Sequence, residues 1–194
     1  MKAEADGRKP RADGLRNREL LIDAAKLAFA EIGADVSLEE IARRAGVGIG
    51  TLYRHFPTRD DIIAAVYRRE VTQLADAAKR LLETHPAGEA LHEWLRLFVD
   101  YIATKKVIAP ALASMAGGTS ALYESSVDLL KTAVAELVGR AIEAGDIRSD
   151  VEPFDLIQAL AGFAMGVPSP GWETRTLRLI DILMDGLRAP SSRR

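Results

Sequence analysis

Apolar residues along this chain recur at three- and four-residue steps, the spacing that places side chains on one face of an α-helix. Leu20, Leu21, Ala24, Ala25, Leu27, Ala28 and Ile32 form the first such run, and Gly33 stops it. Ser37 and Glu40 then show the Ser-x-x-Glu spacing of a capping box, in which the hydroxyl and the carboxylate each satisfy an orphan N–H at a helix start. A second helix therefore begins there, turns Leu38, Ile41, Ala42 and Ala45 inward, and ends at Gly46. Val47, Gly48, Ile49 and Gly50 leave room only for a tight turn. Residues 51–56 predict a short third helix, with Leu52 and Phe56 four apart and Pro57 disfavouring helical geometry at Phe56. Thr58, Asp60 and Asp61 cap a fourth helix, since carboxylates suit the positive end of the helix dipole.

That fourth helix is long: Ile62, Ile63, Val66, Tyr67, Leu74, Ala77, Ala78, Leu81 and Leu82 keep the period as far as Glu83, and His85-Pro86 breaks it. A fifth carries Leu91, Trp94, Leu95, Phe98, Val99 and Ile102 on one stripe, with Lys105 and Lys106 suited to its C-terminus. A short sixth helix is expected around residues 109–115, broken by Gly117-Gly118, then a seventh over about 120–144 that Gly145 ends. Pro153 suits the first turn of an eighth running to about Gly166, and a ninth spans about 173–187. No strand-like alternation or hairpin signal competes. The fold expected is all-α, with about nine helices.

Two short helices across a Gly-containing turn, backed by a third, make either a helix-turn-helix or a plain helical hairpin, and spacing alone fits both. Charge tilts the balance: residues 41–59 hold Arg43, Arg44, Arg54, Arg59 and His55 but no Asp or Glu. Such a stretch makes a local surface for phosphates. The chain total hides it, because 26 Lys plus Arg against 28 Asp plus Glu give a net charge of -2 over 194 residues. A uniformly basic coat is excluded, and the positive surface is local. With no Cys, disulfides, thiolate nucleophiles and Cys-ligated metals are excluded too. His55, His85 and His92 are the only histidines, and none stands at metal-ligand spacing. Neither a phosphate loop nor a nucleophile elbow is present, so no catalytic group, metal or cofactor is expected. The charged first residues and the lack of any long apolar run predict a cytoplasmic protein without a membrane partner.

The stretch over residues 38–62 also resembles a known family. Ala45-Gly46-Val47 followed by Gly50-Thr51-Leu52-Tyr53-Arg54-His55-Phe56-Pro57 is similar to the signature of TetR-type transcriptional regulators through the recognition helix. The resemblance in motif covers about residues 16–71, and beyond that only the number and order of helices agree. It implies that Ser37, Tyr53 and Arg59 contact phosphates, and that Ile49, Gly50, Thr51, Arg54 and His55 read bases or flanking phosphates. Gly48 stands where many members have a serine cap, which costs little in helix stability but removes a hydroxyl. The side chains suit this work on their own terms. Arg54 offers a bidentate donor pair to guanine, and Ile49 and the Thr51 methyl pack on a thymine methyl. Leu52 and Phe56 read as core, while Arg43 and Arg44 read as solvated surface outside the site.

By the same resemblance, residues 16–61 form the DNA-binding domain and residues 62–188 a bundle for ligand binding and dimerisation. Residues 1–15, charged and without apolar period, are expected to be a flexible basic arm, and residues 189–194 a tail. Trp94, Tyr101, Met115, Tyr123, Phe163 and Trp172 are candidate walls of a pocket for an apolar small-molecule effector, though each also suits a packed core. Phe154, Ile157, Leu160, Ala161, Ala164, Leu177, Ile180, Leu183, Met184 and Leu187 give the last two helices an apolar surface wide enough to pair two copies. The function expected is a dimeric repressor released from a palindromic double-stranded DNA operator by its effector. An architectural or interaction DNA-binding protein without small-molecule input is the alternative.

Overall fold

The helical periods become eight α-helices in the computed structural model, which describes residues 8–115, 118–166 and 170–188. In chain order they are α1 (Arg8–Ile32), α2 (Leu38–Ala45), α3 (Ile49–His55), α4 (Arg59–Thr84), α5 (Ala87–Ala113), α6 (Ser120–Glu143), α7 (Pro153–Met165) and α8 (Trp172–Leu187). No strand occurs among the described residues. One isolated bridge pairs Ile147 with Arg188, where the Arg148 amide donates to the Leu187 carbonyl over 2.8 Å.

Two expectations change. The first concerns the basic arm: α1 begins at Arg8, so residues 8–15 are helical, while residues 1–7 and the expected tail at 189–194 lie outside the described residues. A helix is hard to nucleate and easy to extend, so the amphipathic run that follows carries these residues with it. The extension also meets protein. A Cβ on Gly14 would lie 3.9 Å from His55 Cε1, and the Arg18 guanidinium sits 5.4 Å from the centre of the Phe56 ring.

The second change is the helix count. The expected fifth and sixth helices are one, because α5 passes through Pro110. Proline removes a backbone donor and opposes helix locally, but Ile108 and Leu112 on either side of it are fully buried, and that burial holds the turn. Lys105 and Lys106 consequently lie within a helix rather than at its end. Gly118, at φ 78°, lies between α5 and α6, and Gly117 is outside the described residues.

Contacts divide the chain into two compact units. One comprises residues up to Tyr67 together with Val107–Thr119, and the other Arg68–Lys106 with residues from Ser120 onward. The division falls inside α4 and again inside α5. In the first unit α1 packs on α2 and α3, and Leu21, Ala25, Ile41 and Leu52 are wholly buried. In the second, α7 packs on both α6 and α8. There the Trp94 indole Nε1 donates to the Leu74 carbonyl over 2.8 Å, tying α5 to α4.

Candidate nucleic-acid interface

The start of α2 follows its sequence signal only in part. Ser37 Oγ accepts the Glu40 amide at 3.1 Å, but the Glu40 carboxylate does not return the bond. It accepts instead from Arg43 Nε at 2.8 Å, Arg43 Nη2 at 2.7 Å and Arg44 Nε at 2.8 Å, while Arg44 Nη1 reaches Glu31 on α1 at 2.6 Å. Charge-assisted bonds outcompete a neutral amide for the same oxygens. The bonds from Arg43, then those from Arg44, hold the Glu40 pKa down at about 2. Half of the arginine charge over residues 41–59 is thereby answered by Glu31 and Glu40.

The turn depends on Gly46, whose φ of 69° is left-handed and whose amide reaches the Arg43 carbonyl at 3.2 Å. The Val47 amide bonds Ala42 O at 3.1 Å, completing the paired bonds of a Schellman ending. Gly48 then caps α3 without a side-chain bond, and the Thr51 and Leu52 amides reach its carbonyl at 2.9 and 3.2 Å. Before α4, Thr58 and Asp61 do close a reciprocal box: the Thr58 amide donates to Asp61 Oδ2 at 2.9 Å, and the Asp61 amide to Thr58 Oγ1 at 3.2 Å.

This frame presents one face of α3. Leu52 and Phe56 are buried beneath it, each worth roughly 1.5–3 kcal/mol of apolar burial. Ile49 and Tyr53, 38% and 46% exposed, stand four residues apart, as do the exposed Gly50 and Arg54. These four form an outward stripe flanked by the half-buried Thr51 and His55, while Ser37 and Gly48 are exposed at the starts of α2 and α3. Arg54 makes no ion pair among the described residues. Arg59 is half-buried and already occupied in part, since its guanidinium donates to the Ala34 carbonyl between α1 and α2. A bidentate donor, a phenol and an apolar side chain on one open helix face, with glycine allowing close backbone approach, suit base edges in a major groove.

Known families match both parts of the chain. Residues 21–66 match the bacterial regulatory proteins of the tetR family, and residues 86–189 match the C-terminal domain of SbtR-like transcriptional regulators. The chain belongs to the TetR family of transcriptional regulators. The match over residues 21–66 takes in the helix-turn-helix, and proteins of this family bind DNA and act as dimers. A TetR regulator from Streptomyces coelicolor is 43% identical, with a TM-score of 0.82 over 90% of this chain and 99% of that one. A second, from Mycobacterium vanbaalenii, is 34% identical, with a TM-score of 0.77 over 92% and 99%. A gamma-butyrolactone receptor shares the fold at 21% identity and a TM-score of 0.62 over 93% and 92%. An HTH-type transcriptional regulator from Staphylococcus aureus is 29% identical over 50% of this chain and 51% of its own length. The chain spans about half the length of such curated relatives. Among the described residues no helix is long and apolar enough to cross a membrane.

The second half of this TetR-family chain distributes the expected pocket residues unevenly. Trp94 is fully buried, bonded to Leu74 and stacked on Phe98 with ring centres 5.9 Å apart, so it acts as core. Tyr101 is buried beside Phe98, and Tyr123 and Trp172 are half-buried. Phe163 is 49% exposed, and Met115 belongs to the unit that holds α1 to α3. The expected pairing face changes as well. Ile157, Leu160, Ala164 and Ile180 are buried within the chain itself, and Phe154, Ala161, Leu177, Leu183, Met184 and Leu187 are half-buried. The large apolar groups that α7 and α8 leave open are Phe163, Met165 and Ile182, the last 61% exposed, with Ala159 and Gly162 open beside them on α7. Both faces of α7 are apolar, so sequence period alone did not distinguish the inner from the outer.

Proposed function

We propose that this regulator is a cytoplasmic homodimeric repressor that occupies a palindromic operator and is released by a small-molecule effector bound in its C-terminal half, without catalysis. The observation that carries the reading is the open stripe of Ile49, Gly50, Tyr53 and Arg54 on α3, fixed from below by Leu52 and Phe56. Ser37, Gly48, Thr51, His55 and the remaining donors of Arg59 supply phosphate or flanking contacts around it. Two copies placing their α3 helices about 34–36 Å apart would meet successive major grooves. The apolar residues left open on α7 and α8 support pairing, and the fold shared with a gamma-butyrolactone receptor supports an effector.

Selection of bound DNA from random sequence, using the full chain, tests operator and symmetry together. An inverted repeat with half-sites about one helical turn apart is expected. Enrichment of an asymmetric site, or of none, overturns the dimeric-operator reading. Binding that no stabilising small molecule ever alters, in a screen read by melting temperature, would favour a DNA-binding protein without such input.

A further inference from the structure

Along α5 the positions Trp94, Phe98 and Tyr101 follow one another at steps of four and three, and the same rhythm resumes at Ile108 and Leu112, all of them buried. The position between is Lys105. A helix stripe of this kind faces protein at every turn, so the register puts an ammonium where the pattern calls for a hydrocarbon. Lys105 is half-buried, with Nζ 5.0 Å from the centre of the Tyr123 ring and 6.0 Å from that of Tyr101. It makes no ion pair among the described residues, and burial lowers its pKa below the ordinary lysine value. Lying within α5, it also lacks the carbonyl cluster of a helix C-terminus.

Its neighbour shows what an answered lysine looks like here. Lys106 Nζ donates to the Ala164 carbonyl at 2.8 Å and lies 4.2 Å from the centre of the Trp172 ring. Ala164 is in the last turn of α7, where unpaired carbonyls and the negative end of the helix dipole favour a cation. Lys106 thus pins α5 to the end of α7, whereas Lys105 has ring faces but no anion among the described residues. A partly desolvated cation without a counter-charge is a cost to the ligand-free fold and a ready contact for an anion.

Building on the effector reading above, we propose that Lys105 anchors the carboxylate of the effector, which is a monocarboxylic acid with an aromatic or similarly flat apolar body lying against Tyr101 and Tyr123. One ammonium answers one negative charge, which fits a carboxylate better than a phosphate dianion. Phosphate recognition favours several donors or the fork of an arginine. The tyrosine rings give the body apolar contact in addition to their hold on the lysine.

The test is calorimetric titration of the full-length protein with matched acid and amide pairs: 2-naphthylacetate and 2-naphthylacetamide, 4-phenylbutyrate and 4-phenylbutyramide, decanoate and decanamide. At least one acid should bind about tenfold or more tightly than its amide. The preference should vanish in Lys105→Gln and in Lys105→Met, return in Lys105→Arg, and persist in Lys106→Gln. Ligand-free Lys105→Met should melt no lower than the parent, while Lys106→Gln should melt lower. Equal affinities in every pair, or a preference that survives both neutral Lys105 variants, overturns the proposal. An acid held through Lys105 that leaves operator affinity unchanged upholds the site and removes its effector role. A neutral compound that releases DNA while every pair binds equally upholds the effector and removes the site.

Discussion

Tyr53 and Arg54 are exposed side chains on a helix whose other face is core, so changing them should alter binding without altering the fold. Arg54→Ala should weaken the selected operator by about 5- to 150-fold, from about 1–3 kcal/mol per bidentate base contact, and relax the preference at one base pair. Tyr53→Ala should weaken operator and non-operator DNA alike and leave the salt dependence unchanged, because a neutral phenol displaces no counterion. Fluorescence anisotropy at two salt concentrations, with melting curves as the fold control, measures both. Undiminished binding in both variants would remove α3 from the interface. Glu40 gives a prediction of different kind. Its folded pKa of about 2 lies below the ordinary 4.5, so its stabilising bonds are fully present above 4.5 and disappear as pH falls toward 2. The difference in melting temperature between the parent and Glu40→Gln should therefore close over that interval, and a gap independent of pH would deny the ion-pair account. The sequence shows that Ser37 caps α2. It does not show where the Glu40 carboxylate goes, because the competing arginines reach it only once α2 has wound, and Glu31 joins them only after α1 has packed.

The elements themselves were largely legible, since stop signals such as Gly46 act through local backbone chemistry. Gly46 holds φ 69°, and no neighbouring atom lies within 4 Å of the place a Cβ would take, so strain alone sets the cost of a side chain there. Gly46→Ala should lower stability by about 1–2 kcal/mol, read from the urea midpoint, and Gly46→Asn by less, because asparagine tolerates the left-handed region. A variant with an unchanged midpoint would show that the turn rearranges. The helix end expected at Lys105 and Lys106 fails for the opposite reason, since α5 passes on through Pro110. The proline's effect on backbone hydrogen bonding is local, but the burial of Ile108 and Leu112 that overrides it comes from distant parts of the chain. The early start of α1 is similar, for residues 8–15 have no apolar period of their own and borrow order from the helix they extend.

At the scale of the molecule, sequence pattern identified α7 and α8 as apolar but could not orient them. The outward groups are Phe163 and Ile182, and a charge on either should prevent pairing while leaving the separate chain folded. Phe163→Asp and Ile182→Glu should each shift the mass measured by light scattering at micromolar concentration from dimer to monomer, with melting temperature reduced only as dissociation itself requires. Dimers persisting in the double variant would place the interface elsewhere. Operator affinity should fall with pairing, since a monomer meets only one half-site.

The short bridge beyond α6 offers a way to watch these helices directly. The Arg148 amide gives its proton to the last carbonyl of α8, at Leu187, and to no carbonyl in its own segment. Its exchange with deuterated solvent therefore requires the end of α8 to lift from its seat. One backbone resonance becomes a built-in clock for that opening, slow when α8 is held and fast when it is released.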